Sequence, residues 1–158
     1  MFQTIVFAYD GSAESQDMLE EGITLARRFS ARCHLVAVVP PWSSMALAAG
    51  PLPEGMVEDQ HSQAAAILVN GLDRLRHAGL EATGKVRVWE EPAEAIGSFA
   101  REAGADLVIV GHHQRSAISR WWRSSVGHAL MDQVSCSLLI CMPRSVAGKA
   151  EARQGEAV

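Results

Sequence analysis

The sequence predicts one α/β domain, a doubly wound, open parallel sheet of five strands with about four helices. Three observations lead there. Strand-like and helix-like stretches alternate as βαβ, a long loop, then αβαβαβ, an order that implies right-handed crossovers between parallel strands. Two early strand-like runs, Thr4 to Tyr9 and Cys33 to Val39, lack polar alternation, the pattern of strands covered on both faces. Polar turns follow two strand-like runs, Asp10-Gly11-Ser12 after the first and Gly111 after Asp106 to Val110. In such sheets ligands bind outside the carboxyl ends of the strands.

Each element has its own local reason. Thr4 to Tyr9 is a compact β-branched and aromatic run. Ser12 suits a helix N-cap, Ser15 and Asp17 its first turn, and Leu19, Ile23, Ala26 and Phe29 recur at helical spacing. Cys33 to Val39 is the second strand, stopped by Pro40-Pro41. Residues 40–56 form a Pro/Gly/Ala/Met-rich loop with no period, long enough in a small domain to suggest a function. Glu58 to His77 reads as a long amphipathic helix through Ala64, Ile67, Leu68, Leu72 and Leu75, with Gly79 as its C-cap. Lys85 to Trp89 alternates as a short strand near a sheet edge does. Pro92 fits the first position of the next helix and Gly104 its end. Asp106 to Val110, a helix from Val126 to Val134, and Ser137 to Met142 complete the order. The domain is expected over 1–144, with 145–158 as a small, polar, fraying tail.

Bulk properties narrow the function. With 158 residues, 48% apolar and 20% charged, the chain has ordinary globular composition and room for one core. A formal charge of −4 and no basic stripe beyond Arg115, Arg120 and Arg123 speak against nucleic-acid binding. Cys33, Cys136 and Cys141 show no C-x-x-C spacing and read as reduced core thiols. Met1-Phe2-Gln3-Thr4 enters a strand without a basic leader, and no apolar run approaches the roughly 20 residues of a membrane span. No membrane partner is expected, and the location expected is the cytoplasm.

The candidate chemistry gathers at the strand ends. Asp10 could hold Mg²⁺, accept from a ribose, or accept a phosphoryl group; it could equally cap its own Gly11-Ser12 turn. A phosphoacceptor receiver needs an acidic cluster beside its aspartate, which the Asp10 turn lacks. A serine hydrolase needs a nucleophile elbow such as G-x-S-x-G, which is absent. His112 and His113, with His128, invite a metal, but adjacent histidines diverge and no Cys or carboxylate stands at ligand spacing. Trp121-Trp122 points to packing or to a partner surface. Gly111-His112-His113-Gln114, followed by Ser124-Ser125-Val126-Gly127 at the start of a helix, is laid out as a phosphate site would be.

These residues resemble the universal stress protein family from Thr4 to Met142. Ala8-Tyr9-Asp10-Gly11-Ser12-Ala13-Glu14-Ser15 is similar to its D-x-S-x-x-S signature, and Ala105 to Gly111 to its "aDlIVmG" strand. Nucleotide-binding members carry G-x2-G-x9-G-[ST]; here Gly111 and the hydroxyl of Ser125 match, while Gln114 and Ser124 replace two glycines. The G-H-H-Q loop resembles the founding subclass, generally regarded as not binding ATP. The resemblance implies strand order 3-2-1-4-5 (an adenine nucleotide alpha hydrolase-like fold) and a homodimer through the last strand, Ser137 to Met142. It implies a stress-response or signalling module with at most weak adenine-nucleotide binding. The alternative is an ATP-binding switch or slow ATPase using the same cleft. If a nucleotide, ATP with Mg²⁺ foremost, is held, the implied site is Ala8, Asp10, Val38, Gly111, Gln114, Ser124, Ser125 and Val126. Val38 would meet adenine, Asp10 the ribose or Mg²⁺, and Gly111, Ser124, Ser125 and Val126 the phosphates. A side chain at 114 crowds a place where bare backbone would meet phosphate, and glycine alone adopts positive φ there without strain.

Overall fold

Five parallel strands form one sheet in the order β3-β2-β1-β4-β5. The computed structural model describes residues 1–39, 56–88, 91–111 and 126–142, without the side chains of 39, 56–60 and 126–128. The strands are β1 (Thr4–Ala8), β2 (Arg32–Val39), β3 (Ala82–Val88), β4 (Leu107–Gly111) and β5 (Ser137–Cys141). The helices are α1 (Ala13–Phe29), α2 (Met56–His77), α3 (Pro92–Ala103) and α4 (Val126–Gln133). Element order, parallel pairing and strand order match the expectation.

Alternation along the strands divides the core in two. Ile5, Phe7, Cys33, Leu35, Leu107 and Ile109 face α1 and α2, meeting Leu19, Ile23, Leu72 and Leu75. Val6, Val36, Val108 and Val110 face α3 and α4, meeting Ile96, Phe99, Ala100 and Leu130. Because both faces of the central strands are covered, every position in β1 and β4 had to be apolar or small, which is why neither alternates.

Local chemistry sets the boundaries. Ser12 caps α1, its Oγ accepting from Ser15 N at 3.1 Å, and Ser30 closes the helix in the left-handed region at φ 52°. Pro92 opens α3, and Gly104 at φ 62° donates back to Ala100 and Arg101. Gly79, at φ +78°, turns the chain after α2. At the amino end of the sheet, Asp106 N donates to Thr4 O, and its carboxylate accepts from Gln3 N at 2.7 Å and Thr4 N at 3.2 Å. Its carbonyl accepts from Ser137 N at 3.2 Å. One residue thereby ties the starts of β1, β4 and β5.

Two expectations shift. β3 begins at Ala82, not Lys85, because Gly84 belongs to the strand: a Cβ there would lie 2.5 Å from Leu35 O, so only glycine fits so close to β2. Met56, placed in the loop from sequence, begins α2. Residues 40–55, Trp89, Trp121-Trp122, the three loop arginines and the tail 145–158 lie outside the described residues. No described helix is long and apolar enough to cross a membrane.

Candidate cleft at the carboxyl ends of the strands

The register brings three predicted site residues to one end of the sheet. β1 lies between β2 and β4, with Ala8 opposite Val36 on one side and Val110 on the other. Asp10, two residues beyond Ala8, lies past the carboxyl end of β1, at the same end of the sheet as Val38 and Gly111. Here the connection after β1 runs to β2 on one side, while the connection after the neighbouring β4 runs to β5 on the other. This is the switch point where open α/β sheets form a crevice.

Asp10 is oriented by its own turn. Oδ1 accepts from Ser12 N at 3.0 Å and from Ser12 Oγ at 2.6 Å, an Asx turn that fixes one carboxylate oxygen. Gly11 adopts φ +76°, which a side chain would strain. The turn continues into α1: Ser15 Oγ donates to Ser12 O at 3.0 Å, and Gln16 Nε2 to Gly11 O at 3.0 Å. The capping role weighed for Asp10 from sequence is thus realised. It is compatible with a ligand role, since a carboxylate accepts at four lone-pair positions.

Gly111 lies close to α1, a contact the sequence did not reveal. A Cβ there would lie 3.2 Å from Glu14 O and 3.5 Å from Met18 Cβ, in the first turns of α1. A side chain there would press on the helix. Ala8 ends β1 and Val38 lies in β2, both half-buried. Val126 begins α4, while Gln114, Ser124 and Ser125 lie outside the described residues, as do His112 and His113. Among the described residues no cluster of His, Cys, Asp and Glu could hold a metal ion.

Sequence reading missed one contact of the turn. Tyr9, 2% exposed, donates its hydroxyl to Asn70 Oδ1 of α2 at 3.3 Å. The partners are 61 residues apart, and no short sequence pattern joins them.

A second hollow of about 240 Å³ lies on the open face of β3, lined by His34, Thr83, Lys85, Phe99 and Glu102 among others. Its polar groups answer one another. His34 Nδ1 pairs with Thr83 Oγ1 at 2.8 Å; Glu102 takes Arg87 in a short contact and Lys85 at 3.9 Å; Arg87 lies over the Phe99 ring. Burial, with Arg32 nearby, lowers the pKa of His34 below its usual value. These contacts secure the edge of the sheet.

Known proteins give the arrangement a context. The sequence profile of the universal stress protein family matches residues 1–141. The chain is 26% identical over 149 residues to the universal stress protein YxiE of Bacillus subtilis, covering 89% of this chain and 99% of that one. A crystal structure of a family protein from Burkholderia pseudomallei superposes with a TM-score of 0.70 at 26% identity, covering 87% and 94% of the two chains. The universal stress protein of Archaeoglobus fulgidus in complex with dAMP shares the fold at 17% identity, with a TM-score of 0.60 over 89% and 97%. With a match over residues 1–141, which contain all five strands of the sheet, this chain belongs to the universal stress protein family.

Proposed function

We propose that this universal stress protein is a dimeric cytoplasmic signalling module that binds adenine nucleotides weakly in the cleft at the carboxyl ends of β1, β2 and β4. The observation that carries this reading is the convergence of Asp10, Val38 and Gly111 on one switch point, with the Asp10 carboxylate already oriented by Ser12. The donor set suits a nucleoside. Strand-end backbone at Ala8 and Val38 can border a base, and an oriented carboxylate can accept from ribose hydroxyls or take part in holding Mg²⁺. The dAMP held by the Archaeoglobus relative supports the same ligand class.

Gly111, Ser124, Ser125 and Val126 then face the phosphates. Gln114 and Ser124, standing where two glycines would admit them, keep the affinity low, in line with the resemblance to the G-H-H-Q subclass. A slow ATPase is the most turnover this arrangement offers. For the dimer, β5 is an edge strand whose Leu139, Ile140 and neighbouring Met142 are 39%, 43% and 51% exposed, an apolar edge that pairing through Ser137 to Met142 would cover.

Calorimetry with AMP, and with ATP with and without Mg²⁺, tests the cleft. We expect dissociation constants on the order of millimolar, with a few kcal/mol of binding energy. Asp10→Ala should abolish the heat, and Gln114→Gly with Ser124→Gly should strengthen ATP binding. No heat from either nucleotide, in the native protein and in the double-glycine variant alike, would overturn the nucleotide reading. Sedimentation should find a dimer at micromolar concentration that Ile140→Lys dissociates; a native monomer would remove the dimer from the proposal.

A further inference from the structure

One face of α2 meets the Asp10 turn at three points. Ile67, Asn70 and Gly71, spaced i, i+3 and i+4, lie on the same side of the helix. A Cβ at Gly11 would sit 3.2 Å from Cγ1 and Cγ2 of Ile67, so the helix side chain rests against the turn backbone. A Cβ at Gly71 would sit 3.0 Å from Cδ1 and Cε1 of Tyr9, so this glycine lets the helix approach the ring. The Tyr9 hydroxyl reaches Asn70 Oδ1 at 3.3 Å from a ring that is 2% exposed, while Asn70 itself is exposed.

Asp10 lies between the two residues so held. Packing alone would be served by phenylalanine at position 9. A hydroxyl there adds a requirement, because burying it away from an acceptor is unfavourable, so the contact prefers one placement of α2 against the end of β1. Ser12 then selects the carboxylate orientation from that backbone.

We propose that Asn70, acting through the Tyr9 hydroxyl, is a positioning residue for the Asp10 carboxylate. The consequence for ligand affinity rests on the nucleotide reading above. The geometry of the turn can be measured without any ligand.

Tyr9 is the only tyrosine in the chain, so ring-labelled tyrosine reports this contact as a single NMR spin system. The variants are Asn70→Leu, which covers the hydroxyl without accepting from it, Gly71→Ala, and Val69→Ala as a control on an exposed neighbour. In ligand-free protein, Asn70→Leu and Gly71→Ala should shift the Tyr9 ring signals. Asn70→Leu should also speed amide exchange at Gly11 and Ser12 by up to about tenfold, the scale of one lost hydrogen bond. Amides of Leu107–Gly111 and the Val69→Ala protein should be unchanged. Tyr9→Phe, which keeps the ring and removes the hydroxyl, should speed exchange at Gly11 and Ser12 likewise, and added to Asn70→Leu it should cause little further change, because the contact is already gone.

With AMP as the probe, Asn70→Leu should weaken binding about three- to tenfold at unchanged stoichiometry. Unmoved Tyr9 signals and unchanged Gly11 and Ser12 exchange in Asn70→Leu would overturn the positioning role, whether or not AMP binds. A turn that moves while AMP affinity stays constant would overturn its link to the cleft. Failure of AMP to bind the native protein would count against the nucleotide reading, and the ligand-free measurements would still decide the positioning role.

Discussion

A methyl group on Gly22 would lie 2.2 Å from Cε1 of Phe7, a ring with no solvent exposure. The middle of α1 therefore rests directly on the aromatic ring of β1, and the helix carries a glycine where helix propensity alone would favour alanine. Two magnitudes oppose each other in Gly22→Ala. The helix gains about 1 kcal/mol of intrinsic propensity. Overpacking a closed core costs about 1–3 kcal/mol, and more where the neighbour cannot yield. Phe7 is enclosed on all sides, so the cost should prevail. Urea denaturation should show a net loss of about 1–2 kcal/mol, partly recovered by Phe7→Leu in the same chain.

Asp106→Ala should remove the carboxylate that accepts from Gln3 N and Thr4 N. Backbone amides at a partly exposed strand start can turn to water, so the loss should be about 1–2 kcal/mol rather than that of two fully buried bonds. Hydrogen exchange should show the effect concentrated at the start of β1, with the β2–β3 ladder unaffected.

Where local chemistry dominates, the sequence was readable. Ser12 as a cap, Pro92 as a helix start, and Gly79 and Gly104 as positive-φ turns follow from the residues themselves. So does the apolar character of β1 and β4. Tertiary contact was not readable in the same way. The strand read from Lys85 begins earlier, at Ala82, and takes in Gly84, whose absent Cβ would lie 2.5 Å from Leu35 O of β2. Gly111 suggested a phosphate turn, and the fold adds that a side chain there would press on the first turns of α1. Asn70 could not be assigned to the Asp10 turn before α2 was placed beside Tyr9, since no pattern links residues 61 positions apart. For the cleft, the motif gave the positions of Asp10 and Gly111, and the fold supplied the contacts around them.

His34 makes stability depend on acid. Burial lowers its pKa from the usual 6.5, so the folded protein favours the neutral ring that pairs with Thr83. As pH falls below 6.5 the unfolded chain takes up a proton that the folded chain resists. The contribution of His34 is therefore present above 6.5 and is lost as pH falls through the lowered folded value. Urea midpoints at pH 7.5 and 5.0 should fall more steeply for the native protein than for His34→Gln.

The thiols act in the opposite pH range. Burial pushes Cys33 up to about 11, and burial with the Glu21 carboxylate pushes Cys141 up to about 12, from a usual 9.0. Both stay protonated in the fold where the unfolded chain would lose the proton. Their contribution is present below pH 9 and is lost as pH rises through 11 to 12. A disulfide reagent at pH 8 should modify the half-buried Cys136 first, and Cys136→Ser should abolish that fast phase. Cys33 and Cys141 should react only at the rate of opening, and all three at once in urea.

Asp106 gives the sheet an asymmetry with evolutionary meaning. By joining the starts of β1, β4 and β5, it sets strand alignment at the amino end of the sheet, opposite the end where Asp10 lies. Alignment and ligand chemistry are therefore specified by separate sets of residues. Substitutions or insertions beyond the carboxyl ends, at positions such as 114 and 124, can retune or abolish binding without moving any strand against its neighbour. One scaffold can thus give rise to descendants that hold a nucleotide and descendants that do not, with little change in the stability on which both depend.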